Sequence, residues 1–274
     1  MSFVINPYRF GAGGGPPGGI TDPDDVSGCV GWYDASDSAT LLDAVVGGSP
    51  VADDAAVEVF EDKSALGTIR DFRQTTTASK PIRRAAQING LDVLDFDGTD
   101  DFMALNAGAG NVFYDYSTQV QAKTVFVVSQ PVTAATVADS SSLQLYKSTT
   151  TGAGGLVTGE IAYRANVQTF VSDGTAATTC STSAPSIITL CQSGSGNIED
   201  VISMWLDGAS VARDSGNDGA LVGADVVTEL GGATLSSLYF DGYICEVIFY
   251  DNELSAGDRA SVETYLADKW GVTI

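Results

Sequence analysis

The chain has 274 residues, enough to bury a sizeable core, and it carries 13 basic residues against 35 acidic ones for a net charge of −22. Binding to a phosphate backbone depends on Lys and Arg neutralising phosphates, so nucleic acid is excluded as a main partner. Histidine is absent, which rules out any His-containing catalytic triad and removes the usual general base and the usual metal ligand.

The acidity itself reads as a device for solubility and against self-association. Met1 to Phe10 is apolar and aromatic, with no basic leader and an apolar run too short for a signal peptide. Residues 11–19 follow as a glycine-rich stretch broken by Pro16-Pro17, which reads as a linker, and Asp22-Pro23-Asp24-Asp25 continues a polar spacer towards Cys29. A sticky decapeptide on a linker is the pattern of a peg that inserts into a partner. Phe3, Val4, Ile5, Tyr8 and Phe10 are the apolar anchors, and Arg9 is placed to meet an acidic group. No stretch approaches the roughly 18 apolar residues that a transmembrane helix needs. The expectation is a chain made and assembled in a cytoplasm, with no membrane insertion. It divides into an arm and linker at 1–28 and a single folded domain at 29–274.

From Cys29 onward, β-branched and aromatic runs alternate with Gly, Asp, Asn and Ser turns, which argues for a sandwich or barrel of short strands. Val125-Phe126-Val127-Val128 is a continuous apolar run, expected of a strand buried on both faces. Leu143 to Lys147 and Ile202 to Leu206 alternate as half-buried strands do. Asp207-Gly208 marks a hairpin turn into Ala209–Arg213, and Tyr243–Tyr250 is a further long strand. One helix closes the chain. Ser255 and Asp258 form a capping-box pattern, and Val262, Leu266 and Trp270 fall at i, i+4 and i+8 with Tyr265 beside them. This stripe is expected to pack on the sandwich edge, and Gly271 stops the helix.

Cys29, Cys180, Cys191 and Cys245 form no C-x-x-C pair, so neither a zinc knuckle nor a redox motif is indicated. Buried free thiols are the first reading. Cys180 with Cys191 on a hairpin, or Cys29 facing Cys245, are the pairings left open.

Several motifs occur in one order along the chain. Gly31-Trp32-Tyr33-Asp34-Ala35-Ser36-Asp37 comes first, then Phe60-Glu61-Asp62-Lys63-Ser64, then Asn89-Gly90-Leu91 leading into Phe96-Asp97-Gly98-Thr99-Asp100-Asp101-Phe102. Leu230-Gly231-Gly232, Phe240-Asp241-Gly242-Tyr243-Ile244-Cys245-Glu246-Val247 and Lys269-Trp270-Gly271 complete the series. Together they resemble the laminin-G-like, concanavalin-A-like domains found in phage and bacterial surface proteins. Phe60 stands where that family usually has Trp, and Cys245 where it has a smaller residue. The resemblance implies an all-β fold, a concanavalin-A-like jelly-roll β-sandwich with a C-terminal helix, preceded here by an extended N-terminal arm. Ser2 to Phe10 is similar to the start of many tailed-phage virion proteins.

That family hosts lectins, glycanases and adhesive modules, so function must be read from sites. Glycosidases need two carboxylates about 5–10 Å apart, and the family's glucanases carry theirs as E-x-D-x-x-E on one strand. Glu246 is the nearest candidate, but Val, Ile, Phe and Tyr follow it, and Glu61-Asp62 and Glu199-Asp200 are adjacent pairs whose side chains diverge on a strand. No catalytic residue is assigned, and the chain is expected not to be an enzyme.

Asp97, Asp100 and Asp101 read first as a turn whose short acids bond their own backbone, with a calcium site as the alternative; no other cofactor is expected. Trp205, Tyr114, Tyr116 and Tyr163 are the aromatics that could carry a sugar, each set against a core or interface role, while Trp32 and Trp270 read as core. The carbohydrate-binding residues stay unassigned.

The resemblance therefore implies a virion surface protein assembled in the host cytoplasm. It would be held to other virion proteins by its arm, form a homo-oligomer (a trimer by the usual symmetry of phage surfaces), and present a lectin-like body to a host-surface glycan. A cement or collar protein without glycan affinity, and a bacterial adhesion module, are the alternatives.

Overall fold

The computed structural model describes residues 19–64, 70–105, 122–132, 143–148, 152–157, 162–165, 168–171, 181–194, 198–211, 228–233 and 238–274. The anchor residues Phe3, Val4, Ile5, Tyr8, Arg9 and Phe10, and also Tyr114, Tyr116 and Cys180, lie outside them.

Two antiparallel sheets make up the body of the fold. The first contains β1 (Cys29–Asp34), β5 (Ile82–Ile88), β6 (Leu91–Asp97), β8 (Lys123–Pro131), β13 (Ser186–Gln192), β14 (Ile202–Leu206), β15 (Ala209–Ser210) and β19 (Asp241–Tyr250). Its order is β15-β14-β13-β8-β19-β6-β5, with β1 also paired to β19. The second contains β2 (Leu41–Leu42), β3 (Val59–Phe60), β4 (Phe72–Arg73), β7 (Met103–Leu105), β9 (Leu143–Ser148), β10 (Gly152–Val157), β11 (Ala162–Ala165), β12 (Gln168–Val171) and β16 (Glu229–Leu230). Its order is β12-β11-β10-β9-β16-β7-β4-β3-β2. A two-stranded ribbon of β17 (Gly232–Ala233) and β18 (Leu238–Tyr239) sits beside them. The short helix α1 (Ile198–Val201) leads into β14, and α2 (Ala256–Trp270) closes the chain.

The architecture is the all-β sandwich with a C-terminal helix that the motif series implies. Its core comes in two layers, and the strand period explains both. Val125 and Val127 of β8 point between the sheets, where they join Tyr33, Phe60, Phe72, Phe96 and Phe249. Phe126 and Val128 point the other way and meet Val262, Tyr265, Leu266 and Trp270 of α2. The uninterrupted apolar run at 125–128 is thus the mark of a strand covered on both faces, as its sequence predicts.

Helix α2 lies across the middle of the first sheet, over β8 and β19, where the sequence places it at an edge. The reason is the second apolar face: Ile248, Tyr250 and Cys245 of β19 need cover, and the helix stripe is the surface that supplies it. The helix ends behave as read. The Ser255 hydroxyl accepts from the Asp258 N–H, and Gly271 ends the helix at φ 73, its N–H donating to the Ala267 carbonyl.

Asp22–Asp25, which reads as continued spacer, forms a single 3-10 turn docked on the sandwich. Asp25 accepts from the Thr21 and Asp22 N–H groups, and the Tyr250 hydroxyl donates to the Pro23 carbonyl over 2.9 Å. Asp207 and Gly208 both take positive φ, making the tight hairpin turn expected there, although the returning strand is only Ala209–Ser210.

Among the described cysteines all are free thiols: Cys191 and Cys245 are buried and Cys29 is partly so. Cys29 stands opposite Tyr250 on β19, so it does not face Cys245.

Gly231 turns the chain at φ 76 between β16 and β17, and a Cβ there would lie 2.1 Å from the Phe96 ring. Gly231→Ala combines a left-handed alanine with an overpacked core and is expected to cost about 3 kcal/mol. A denaturant titration showing an unchanged midpoint would contradict this packing.

Candidate functional site

The residues that carry the motif resemblance are scattered over more than two hundred positions, and the fold brings the acidic and aromatic ones to a single point. That point is a changeover in the first sheet. Strand β19 is flanked on one side by β6 along 241–244 and by β1 along 246–250, and the register shifts between Ile244 and Glu246. Asp34, at the end of β1, lies opposite Glu246. Helix α2 passes above and delivers Tyr265, Lys269 and Trp270.

Glu246 is wholly enclosed. Its Oε1 accepts from the Trp32 indole N–H over 2.7 Å and from the Tyr265 hydroxyl over 3.0 Å. Its Oε2 accepts from the Trp270 indole over 2.7 Å and pairs with the Lys269 ammonium at 2.7 Å. Four donors fill the roughly four lone-pair sites of a carboxylate, an arrangement that suits the ionised form. Burial nevertheless pushes its pKa up, opposed by Lys269 and reinforced by the negative charge of Asp34.

Asp34 shares the same lysine at 2.8 Å and takes Lys63 at 3.0 Å on its other oxygen. The Ser36 N–H and hydroxyl complete its set. Burial would raise its pKa, but Lys269 and Lys63 outweigh that and hold it at about 2. Two acids and two lysines therefore balance in charge. Asp62, from the second motif, supports the cluster from below: it accepts from the Trp32 backbone N–H over 2.9 Å and from Ser64. The two tryptophans read as core are buried, as expected, and each also uses its N–H on the same carboxylate.

Above this cluster opens a cleft of about 550 Å³. Its floor includes Trp32, Asp34, Tyr265 and Lys269, and its walls include Lys63 and Asp37 on one side and Arg83 and Asp92 on the other. Arg83 grips Asp92 through Nε and Nη2 at 3.0 and 2.7 Å. The wall is the hairpin β5–β6, whose tip is tied to the end of α2 by Asn89 donating to the Lys269 carbonyl over 2.8 Å. Sequence inspection does not find Arg83 and Asp92, because only the hairpin register, in which Arg83 stands opposite Leu94, puts them side by side.

The Asp97–Asp101 turn lies apart from the cleft. Carboxylate oxygens of Asp97, Asp100 and Asp101 come within 4.8 Å of one another. Their contacts are those of a turn: Asp97 accepts from the Thr99 N–H over 2.8 Å, Asp101 accepts from the Asp97 N–H over 3.1 Å, and Asp100 accepts from the Ser79 hydroxyl.

Of the sugar candidates, Trp205 has the Arg259 guanidinium stacked on its ring at 4.0 Å, with Arg259 itself paired to Glu263. Tyr163 falls in β11. Glu199 and Asp200 lie in α1 and not on a strand, while Asp62 of the other adjacent pair is taken up by Trp32 and Ser64.

Glu246→Gln sets an amide NH2 against two donors of the cluster, the Trp270 indole and the Lys269 ammonium or, with the amide turned over, the Trp32 indole and the Tyr265 hydroxyl. The expected cost is about 3 kcal/mol, or roughly 6–12 °C in melting temperature, as for a buried pair stripped of one member. A thermal melt overlapping that of the parent would refute the geometry. Asp101 behaves oppositely to a paired acid: burial first, then the charge of Asp97, pushes its pKa up to about 7. The folded chain holds this proton more tightly than the unfolded one, whose value is 3.8, so stability is lost as pH rises from about 4 through 7. Asp101→Asn, which keeps the acceptor, should melt above the parent at pH 8 and level with it near pH 4 in parallel melts.

No family model and no curated protein matches the chain. Among solved structures it is similar to a GH54 α-L-arabinofuranosidase at 13% identity and TM-score 0.56, over 88% of this chain and 63% of that one. It is similar to Trypanosoma rangeli sialidase at 13% identity and TM-score 0.53, over 89% of this chain and 35% of that one. The receptor-binding domain of botulinum neurotoxin D gives 12% identity and TM-score 0.53, over 92% and 57%. This chain thus spans between about a third and just under two thirds of these proteins. At such identities the likeness is one of fold: a β-sandwich shared with proteins two of which are named for the sugars they act on.

Proposed function

We propose that this chain is a non-catalytic, lectin-like display module on the surface of a tailed-phage particle. Residues 1–28 attach it to a capsid, neck or tail component through Phe3, Val4, Ile5, Tyr8, Arg9 and Phe10, and residues 29–274 face outward and hold a host-surface glycan. The observation that carries the binding reading over hydrolysis is the saturation of Glu246. A glycosidase carboxylate must be free to give or take a proton beside the scissile bond, and this one is spent on two indoles, a phenol and a lysine. Asp34 is likewise occupied by two lysines and Ser36. The similarity of fold to sugar-acting proteins supports a glycan as the ligand class.

The attachment rests on composition: the five apolar anchors Phe3, Val4, Ile5, Tyr8 and Phe10 stand ahead of a glycine-rich linker. Homo-oligomeric display, with a trimer as the simplest form, multiplies a weak contact into useful avidity.

Deletion of residues 1–10 is expected to reduce incorporation into particles to background while leaving the melting temperature of the purified chain unchanged. Particles carrying the truncated chain at full occupancy would rule out the anchor. A glycan array probed with the full chain separates this reading from a cement or collar role, which predicts silence, and release of reducing sugar from any array ligand would overturn the non-catalytic assignment.

A further inference from the structure

We infer that the cleft over the ion cluster is a sugar subsite, taking one neutral pyranose through a neighbouring pair of its hydroxyl groups. This rests on the glycan-binding reading and locates it on the molecule. The cleft's volume of about 550 Å³ lies within the roughly 300–1,000 Å³ of small-molecule sites.

Its chemistry favours hydroxyls over ions. The wall and floor hold the acids Asp22, Asp34, Asp37 and Asp92 and the bases Lys63, Arg83 and Lys269, so acids outnumber bases by one. Each of those bases already faces a carboxylate. An anionic ligand would have to displace an acid, and it would do so against a chain charge of −22. What remains is spare hydrogen-bonding capacity of both kinds. Arg83 uses Nε and Nη2 on Asp92 and Nη1 on the Val51 carbonyl, which leaves two of the five N–H groups of a guanidinium. Lys63 spends two of its three donors on Asp34 and Asp37. Asp37 keeps acceptor sites beyond Lys63 and the Ala39 N–H. A hydroxyl both donates and accepts, so a vicinal pair matches a surface on which guanidinium, ammonium and carboxylate alternate.

The hairpin wall is shaped to admit such a ring. A bulge between Arg84 and Ile88 puts Ala86 at φ 55, a left-handed conformation that residues other than glycine rarely adopt. The Ala86 N–H is turned onto Asp92, at 3.1 Å. The strain is held at the rim of the cleft, where small side chains leave the space open, and stored strain of this kind clusters at ligand sites.

The test is saturation-transfer NMR on the full chain with D-galactose, D-glucose, D-mannose and D-xylose, with N-acetylneuraminic acid and spermidine as charged comparators. Two variants bracket the cleft: Thr21→Trp, which puts bulk at its exposed mouth, and Asp37→Ala, which removes a half-exposed acceptor. Circular-dichroism melts identify whichever variant keeps the parent's fold. The expected result is millimolar binding of at least one neutral sugar, weakened tenfold or more in the folded variants. Equal binding by parent and folded variants would overturn the cleft assignment and leave the glycan reading standing. Binding of only the acidic sugar or only the polyamine would overturn the neutral class. Silence of the parent towards the panel, with a full glycan array also blank, would overturn the glycan reading itself.

Discussion

One carboxylate, Glu246, ties together three parts of the chain that strand pairing and apolar packing have already brought close. Trp32 belongs to the first strand, Glu246 to the last, and Tyr265, Lys269 and Trp270 to the helix that follows. Removing an ion from water is expensive, and a buried acid survives only when its partners are in place. The cluster therefore fixes where the helix sits on the sheet. A helix slid by one turn would take Tyr265, Lys269 and Trp270 away from Glu246 and leave that buried acid with the Trp32 indole alone. Apolar packing supplies the bulk of the attraction, and the ion cluster selects one alignment from several that hydrophobic contact alone would accept.

The same cluster accounts for the two-layered core. A sandwich needs only the inner faces of its sheets to be apolar, yet β8 and β19 are apolar on both. Their outer faces are covered because α2 is pinned there, and the helix's own buried acid, Glu263, paired with Arg259, also accepts from the Thr189 hydroxyl of β13 over 2.9 Å. The pinned helix also creates the cleft: its C-terminal end is tied to the tip of the β5–β6 hairpin through Asn89. The space between that hairpin and the turn after β1 lies over the cluster as a result. Rigidity below and an open, polar surface above are the conditions under which a weak ligand can be held without reorganisation.

Several elements were legible in advance because each depends on local chemistry. The run at 125–128, the Asp207-Gly208 turn, the Ser255 cap and the Gly271 stop follow from side-chain period, left-handed glycine and capping geometry, and the structure carries all four. The cluster was only partly legible. Trp32, Asp34, Lys63, Glu246, Lys269 and Trp270 stand out as motif residues, but a sequence read in one dimension gives Glu246 the look of an isolated acid among apolar residues. Its donors lie 214 positions upstream and 19 to 24 downstream.

By itself, the amino-acid sequence determined the class of fold, the closing helix and its boundaries, the exclusion of histidine chemistry, and the net acidity of the chain. Those properties depend on composition and on neighbours within a few residues. Only the tertiary structure decided that α2 crosses the middle of a sheet instead of its edge, that the last acids of the spacer dock as a 3-10 turn, that Glu246 is enclosed, and that Arg83 and Asp92 wall a cleft. Each of these is a contact between segments far apart in the chain. Strand register and the demand that every buried charge find a partner settle such contacts, and neither is written in any short window of residues.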